Sequence, residues 1–139
     1  MPIAAPSDAV RASSPKGDVL LWEPAPGVIV HLVSGVVSLP LGVGIADFFR
    51  PIVEQRTGVR SFADYREASG YDREAREFLT DFTRQYLPSF AAINILLGSN
   101  KILSLGIGLY KLALGERVVR TYTDEEDFVR AMRAAGAVP

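Results

Sequence analysis

The sequence of 139 residues contains no cysteine and only one histidine, His31. Without cysteine the chain has no disulfide, no thiolate metal site and no cysteine nucleophile. A single histidine cannot supply the ligand clusters that hold zinc or iron. We therefore expect no metal site and no cofactor, and we interpret His31 as a strand residue with a local hydrogen-bond partner.

The chain also lacks a strong charge of either sign. Its formal net charge is -1, and its basic residues are interspersed with acidic ones. A nucleic-acid-binding domain normally carries a basic patch, so no nucleic-acid partner is expected. The most apolar segment, 102–114, is interrupted by Ser104 and Lys111 and is shorter than the roughly twenty residues of a membrane span. The sequence thus predicts no transmembrane segment and a cytoplasmic location.

Recognisable catalytic motifs are missing as well. The glycines at 42 and 44 are not followed by the glycine and lysine of a phosphate-binding loop. No Gly-x-Ser-x-Gly elbow occurs in the sequence. Carboxylates at Asp64, Glu67 and Asp72 could perform acid/base chemistry, but a solvated loop residue and a helix cap explain Glu67 and Asp72 without it. We expect no catalytic residues and no enzyme activity.

The chain does contain short apolar segments that alternate with helical patterns. Strands are predicted over 19–23, 27–34, 59–65, 90–97 and 117–122. Helices are predicted between Ser38 and Gly58, between Asp72 and Pro88, over 101–114, and after a capping box formed by Thr123 and Glu126. The resulting order, β-β-α-β-α-β-α-β-α, predicts an α/β fold with a five-stranded, mixed, mostly parallel sheet packed with four helices. We expect residues 1–17 to be a disordered leader, 18–134 to be the domain and 135–139 to fray.

Two of the predicted helices have unusual compositions. Pro51 interrupts the first, which predicts a kink near Asp47 or two short helices. The third is apolar almost all round and contains Gly106 and Gly108. Close packing of these glycines on the sheet is one interpretation; a homodimer face and an apolar-ligand pocket are the alternatives.

The element order resembles that of the STAS / SEC14-like superfamily, whose bacterial members include SpoIIAA-like anti-sigma-factor antagonists. The resemblance is carried by Asp64-Tyr65, by Tyr71-Asp72 before a helix, by INILLGSNKILSLGIGLYKLALG, and by TYTDEEDF. It implies a STAS-like domain that regulates or scaffolds by protein–protein interaction. Members with a phosphorylation switch have Asp-Ser-Ser/Thr-Gly where this chain has Asp72-Arg73-Glu74-Ala75. The resemblance therefore implies no serine switch at this position, and Ser69 lies one element earlier.

Two sets of candidate site residues follow from these patterns. In alternating strand/helix folds, ligands gather where strands end and helices begin, and tyrosine and arginine are common anchors of protein interfaces. The predicted partner-binding set is Tyr65, Arg66, Ser69, Tyr71, Arg73 and Arg76. The alternative function is a SEC14-like carrier or sensor of a lipid or other apolar small ligand, with the residues Phe48, Phe49, Ile52, Ile102, Leu105 and Leu109. The partner is either another protein or a second copy that pairs through the Gly106/Gly108 helix.

Overall fold

The computed structural model describes residues 3–138 of the chain. Its strands are β1 (Val10–Ser14), β2 (Gly17–Ala25), β3 (Val28–Val37), β4 (Val59–Tyr71), β5 (Phe90–Leu96) and β6 (Val119–Tyr122). Its helices are α1 (Leu39–Gln55), α2 (Arg73–Gln85), α3 (Lys101–Leu114) and α4 (Glu125–Ala134). A short 3-10 turn, Leu87–Ser89, links α2 to β5.

The strands form one sheet in the order β1-β2-β3-β4-β5-β6. The first two pairings are antiparallel, and the pairings from β3 to β6 are parallel. The predicted α/β fold with a mixed, mostly parallel sheet and four helices is therefore confirmed. The sheet has six strands instead of the predicted five.

The additional strand, β1, lies inside the predicted disordered leader. Val10 pairs with Leu21 and Ser14 with Gly17 across an antiparallel ladder. Asp18 holds the hairpin, since its two carboxylate oxygens accept from Arg11 Nη1 and Ser13 Oγ, each at 2.5 Å. The leader prediction is thus wrong for residues 10–14, which form an edge strand despite their polar sequence, and for Gly17, which begins β2. Residues 1 and 2 lie outside the described part of the chain.

Helices cover both faces of the sheet. Side chains of a strand point alternately to opposite faces, so Ile29 and Val33 of β3 join the core beneath α1, α2 and α3. Val28 and Val30 join a smaller core beneath α4. Burial on both faces explains why β3 and β5 are almost continuously apolar in sequence. The core under three helices is the larger of the two and encloses the cavity described below.

The C-terminal residues are packed against the smaller core. Ala137 is buried, and its backbone N–H donates to the Met132 carbonyl at 2.8 Å. Val138 is half-buried against the same cluster. The prediction of a frayed end is therefore wrong for residues 135–138, and Pro139 lies outside the described residues.

The helix boundaries also correct several details. Pro51 lies within a single helix, α1, so the alternative of two short helices is wrong. Pro51 is exposed, and the buried Phe49 and Val53 on either side of it pack the helix against the sheet. Asp72 occupies the N-cap position of α2, but its side chain makes no capping hydrogen bond. Helix α4 is capped by Asp124, whose Oδ1 accepts from the Glu126 N–H at 2.8 Å, and not by the predicted Thr123 box.

Candidate functional site

Strand β4 runs further than the sequence pattern indicates. Residues 66–71, predicted as a loop, continue the strand as far as Tyr71. They pair with the end of β3, where Ser34 lies beside Glu67 and Val37 beside Tyr71. The pairing register shifts twice along this stretch, and such bulges let a strand tolerate irregular, polar sequence. Side chains of the predicted binding loop therefore alternate between the core and the surface.

Two tyrosines of this stretch point inward. Tyr65 is buried and Tyr71 is half-buried. Their rings stack with centroids 6.0 Å apart, and their hydroxyl oxygens are 3.3 Å apart. Burial raises the pKa of Tyr65 to about 12 and also raises the pKa of Tyr71. Tyr65 cannot contact a partner from the core, so its predicted place on the binding face is wrong.

The arginines of the predicted set lie in different environments. The Arg66 guanidinium binds Asp64, with Nη2 2.7 Å from Oδ2, and reaches Glu125 of α4 at 3.4 Å. Arg66 thus ties β4 to the start of α4 within the domain. Arg73 is exposed on the first turn of α2 and pairs with Glu77, its Nε 2.9 Å from Oε1. Arg76 is half-buried and Ser69 is exposed, so only part of the predicted set shares an accessible surface.

Helix α3 begins beside this accessible surface. The Asn100 side-chain N–H donates to the Ser69 carbonyl at 2.9 Å. Its Oδ1 accepts from the Leu103 N–H at 3.0 Å and so caps the helix. The end of β4, the start of α2 and the start of α3 are therefore neighbours at the carboxyl edge of the parallel strands.

The outer side of α3 is apolar and exposed. Four of the five large apolar side chains that are exposed among residues 3–138 form one stripe there: Ile102 (79%), Leu105 (69%), Leu109 (46%) and Leu112 (80%). We call these four residues the α3 apolar face. The opposite side of the helix packs in the core through Leu103, Ile107, Tyr110 and Leu114. Exposed apolar residues are usually scattered singly over a protein surface, whereas these four are neighbours on one helix.

The two glycines of α3 do not pack on the sheet. A Cβ atom built on Gly106 or on Gly108 would have no neighbouring atom within 4 Å. The interpretation that they allow close packing against the sheet is therefore wrong. Leu112 was missed in the sequence, although its spacing of three from Leu109 continues the pattern of Ile102 and Leu105.

The predicted apolar-ligand set does not converge on one site. Phe49 is buried and lines an internal cavity. Phe48 and Ile52 are half-buried against the core, and Phe48 also borders an open groove beside the N-terminal segment. The other three members, Ile102, Leu105 and Leu109, point outward from α3. A single pocket built from these six residues is therefore excluded.

The internal cavity has a volume of about 50 Å³ and lies between the sheet and helices α1 to α3. Its lining includes His31, Phe49, Tyr65, Tyr71, Thr83 and Tyr110. By the same measure a buried water occupies about 10–15 Å³, so the cavity has space for a few water molecules. Thr83 Oγ donates to the Leu79 carbonyl at 2.7 Å, so the Tyr110 hydroxyl, 2.8 Å away, must donate to Thr83.

His31 differs from the expectation of a local hydrogen bond. It is buried, and its Nδ1 has no hydrogen-bond partner within residues 3–138. Phe49 and Tyr65 contact the ring edge-to-face, with centroids 5.6 and 6.0 Å away. Burial lowers the pKa of His31 to about 4, so the imidazole is neutral at physiological pH.

The described residues show neither a metal centre nor a membrane helix. Within 3–138 no three His, Asp or Glu side chains are grouped so that they could hold a metal ion. None of the helices in this range is long and apolar enough to cross a bilayer.

Comparisons with known proteins identify the fold. No protein-family model matches this sequence, and no curated protein matches it. Among solved structures, an uncharacterised protein of the DUF3478 family from Shewanella loihica PV-4, described as having a SpoIIAA-like fold, aligns with a TM-score of 0.62 at 10% identity over 86% of this chain and 98% of its own.

Two further solved structures are similar. The unphosphorylated anti-sigma factor antagonist SpoIIAA aligns with a TM-score of 0.59 at 15% identity over 87% of this chain and 99% of its own. An anti-sigma factor antagonist from Mycobacterium paratuberculosis aligns with a TM-score of 0.58 at 14% identity over 88% of this chain and 99% of its own. The chain therefore has the SpoIIAA-like fold that its element order predicted.

Proposed function

We propose that this chain is a non-enzymatic regulatory or scaffolding domain that acts by binding a protein. The observation that carries this proposal is the α3 apolar face. A stripe of large apolar side chains exposed to water is unfavourable in free energy and rare on monomers. Such patches typically mark interaction sites. The structural neighbours named as anti-sigma factor antagonists are, by that name, proteins that act on another protein.

The contact surface in this proposal combines the α3 apolar face with its polar neighbours Ser69 and Arg73. The hydrogen bond from Asn100 to the Ser69 carbonyl supports this for Ser69, and Arg73 follows four residues later on the first turn of α2. An apolar centre with a polar rim is the usual arrangement of a protein interface. Arg73 occupies the place of the switch serine implied by the family resemblance, so binding is proposed to proceed without phosphorylation there.

The alternative of an apolar-ligand carrier has less support from the geometry. The cavity within the core measures about 50 Å³, and the larger space beside Phe48 is an open groove, whereas an engineered apolar cavity that binds benzene measures about 150 Å³. A lipid chain is much larger than benzene. Native mass spectrometry of freshly purified protein tests the alternative, because a bound lipid that copurifies would favour a carrier over a protein-binding domain.

Pull-down from the native host with purified bait tests the proposed function. Wild-type bait should retain a partner that Leu105→Glu and Arg73→Glu baits lose, because a charge is placed in the apolar centre or reversed at its rim. Val10→Glu is the matched control, since Val10 is the one exposed large apolar residue in the described chain that lies outside α3. An identical set of captured proteins for wild-type and α3 variants would contradict the proposal.

A further inference from the structure

We infer that the α3 apolar face pairs with the same face of a second copy, in an antiparallel helix pair across a two-fold axis. This inference deepens the proposed function, because it names one occupant of the surface described above. It rests on the spacing of the face, on the position of two glycines and on the charges of the helix.

The spacing of the α3 apolar face is that of a helix pair. Its members, at 102, 105, 109 and 112, are separated by three, four and three residues. These are the a, d, a and d positions of a heptad, the pattern with which one helix packs its side chains between those of another. The rest of the helix already packs in its own core through Leu103, Ile107 and Tyr110, so this second seam is left for a partner.

The face is also symmetric along the helix. Ile102 and Leu112 are equally far from Ile107, and so are Leu105 and Leu109. In an antiparallel pair centred on Ile107, Leu105 of one copy lies opposite Leu109 of the other, and Ile102 lies opposite Leu112. A two-fold interface requires a surface that is complementary to itself. This apolar face meets that requirement with every large side chain matched.

The two glycines occupy the centre of this arrangement. Gly106 and Gly108 take the e and g positions, which flank the a/d seam. Within the monomer nothing lies within 4 Å of a Cβ built on either of them, so the domain's own packing does not require glycine there. In the antiparallel pair each glycine lies near its counterpart beside the two-fold axis, where small residues let two helices approach closely.

The charges of α3 favour the antiparallel direction. The a and d positions carry no charge, and Lys111, the one charged residue within 102–112, takes position c away from the seam. Antiparallel pairing places Lys101 of each copy near the carboxyl end of the other helix, which is the negative end of its dipole. A parallel pair would instead align the two helix dipoles and bring their positive ends together.

The size of the face predicts a weak dimer. Its four side chains present roughly 300 Å² of apolar surface per copy, from the area that each buries in a protein core. Over both copies this is roughly 600 Å², and with the surrounding atoms the total buried area stays below the roughly 1,200 Å² under which complexes are weak and transient. We therefore expect reversible association that depends on protein concentration and leaves the face available to another protein.

A mixing experiment tests both the contact and its register. In sedimentation velocity, the wild type should pass from monomer to dimer as concentration rises. Leu105→Glu and Leu109→Lys should each weaken association at least about tenfold, because each buries an unpaired charge. An equimolar mixture of these two variants should dimerise again, since antiparallel pairing sets Glu at 105 of one copy against Lys at 109 of the other.

The circular dichroism spectra and thermal melts of the two variants should match those of the wild type, because both sites are exposed.

Four outcomes would overturn the inference. A wild type that stays monomeric at the highest attainable concentration removes the dimer. If the two variants do not dimerise when mixed, at equal or at unequal ratios, the antiparallel register is wrong. Loss of the dimer in Val10→Glu but not in Leu105→Glu moves the contact to the β1 edge. If the wild type is monomeric while Leu105→Glu still loses a captured protein, this inference fails and the proposed function stands. Binding of wild-type protein to phosphatidylglycerol vesicles, lost in Leu105→Glu, would assign the face to a lipid surface and contradict both.

Discussion

The side chain of Asn100 joins two elements, because its amide N–H donates to the Ser69 carbonyl at 2.9 Å while its Oδ1 accepts from the Leu103 N–H at 3.0 Å. The first contact fixes the start of α3 against the end of β4. The second satisfies one of the free N–H groups of the first helical turn. One residue thus caps the helix and ties its first turn to the end of β4.

These two roles can be separated by substitution. Asn100→Ser keeps a capping oxygen but loses the donor to Ser69, and should lower the free energy of unfolding by up to about 1 kcal/mol. Asn100→Ala loses both contacts and should cost about 1 kcal/mol more. Urea unfolding measures both, and amide hydrogen exchange should show faster opening of α3. Equal losses in the two variants would mean that the cap contributes nothing.

The neutral state of His31 makes the stability of the fold depend on pH. Its pKa is about 4 in the folded chain and about 6.5 when unfolded, so the unfolded state takes up a proton first as pH falls. The free energy of unfolding should therefore be at its full value above pH 6.5 and decrease by about 3 kcal/mol towards pH 4.

Carboxylates titrate in the same range, so the measurement is a comparison with His31→Leu. Urea unfolding at several pH values should show wild type losing stability relative to this variant between pH 6.5 and 4. A constant difference across that range would show that His31 keeps an ordinary pKa in the fold.

The sequence was informative where apolar side chains decide the structure. Helix α3 has the predicted bounds, Lys101–Leu114, and β5 differs from its prediction by one residue. Both segments are apolar and end at turn residues, so local pattern and tertiary packing agree. The mostly parallel sheet followed from the alternation of such segments.

Polar segments were predicted less well, because their structure depends on partners that are distant in sequence. The β1 strand forms because Asp18 and β2 complete it, and 66–71 is a strand because β3 continues beside it. The sequence pattern placed Tyr65 at the edge of a loop, whereas β4 continues past it and its side chain lies on the core side of the strand. The α3 apolar face was present in the sequence as a heptad spacing, but only the structure shows which side of the helix the core leaves exposed.

Burial should decide how much a tyrosine hydroxyl contributes. Tyr122 donates to Oδ1 of the buried Asn94 at 2.9 Å, and Asn94 Nδ2 in turn donates to the Ser61 carbonyl. Tyr122→Phe leaves the amide oxygen without its donor and should cost about 1–3 kcal/mol. Tyr86→Phe is the matched control, because its hydroxyl donates to Glu54 at 3.1 Å on the exposed surface.

The control should cost no more than about 0.5 kcal/mol, since water replaces the lost contact. Thermal and urea unfolding of the two variants gives the comparison. Similar losses in both would show that the Asn94 oxygen finds another donor.

Two glycine substitutions should have opposite effects on the monomer. Gly35 has a φ of +75°, and a Cβ there would collide with the Lys16 carbonyl oxygen. Gly35→Ala should therefore cost at least about 2 kcal/mol. Gly108 lies inside α3 with open space around it, so Gly108→Ala should stabilise the dilute monomer by about 0.5–1 kcal/mol through helix propensity.

Gly108→Ala should at the same time weaken the α3 pair, because the new methyl groups meet beside the two-fold axis. A single variant would then unfold at higher temperature when dilute and dissociate more readily when concentrated. Calorimetry at low concentration and sedimentation at high concentration measure the two effects. A variant that is more stable and also associates more tightly would show that the glycines do not lie at a contact between helices.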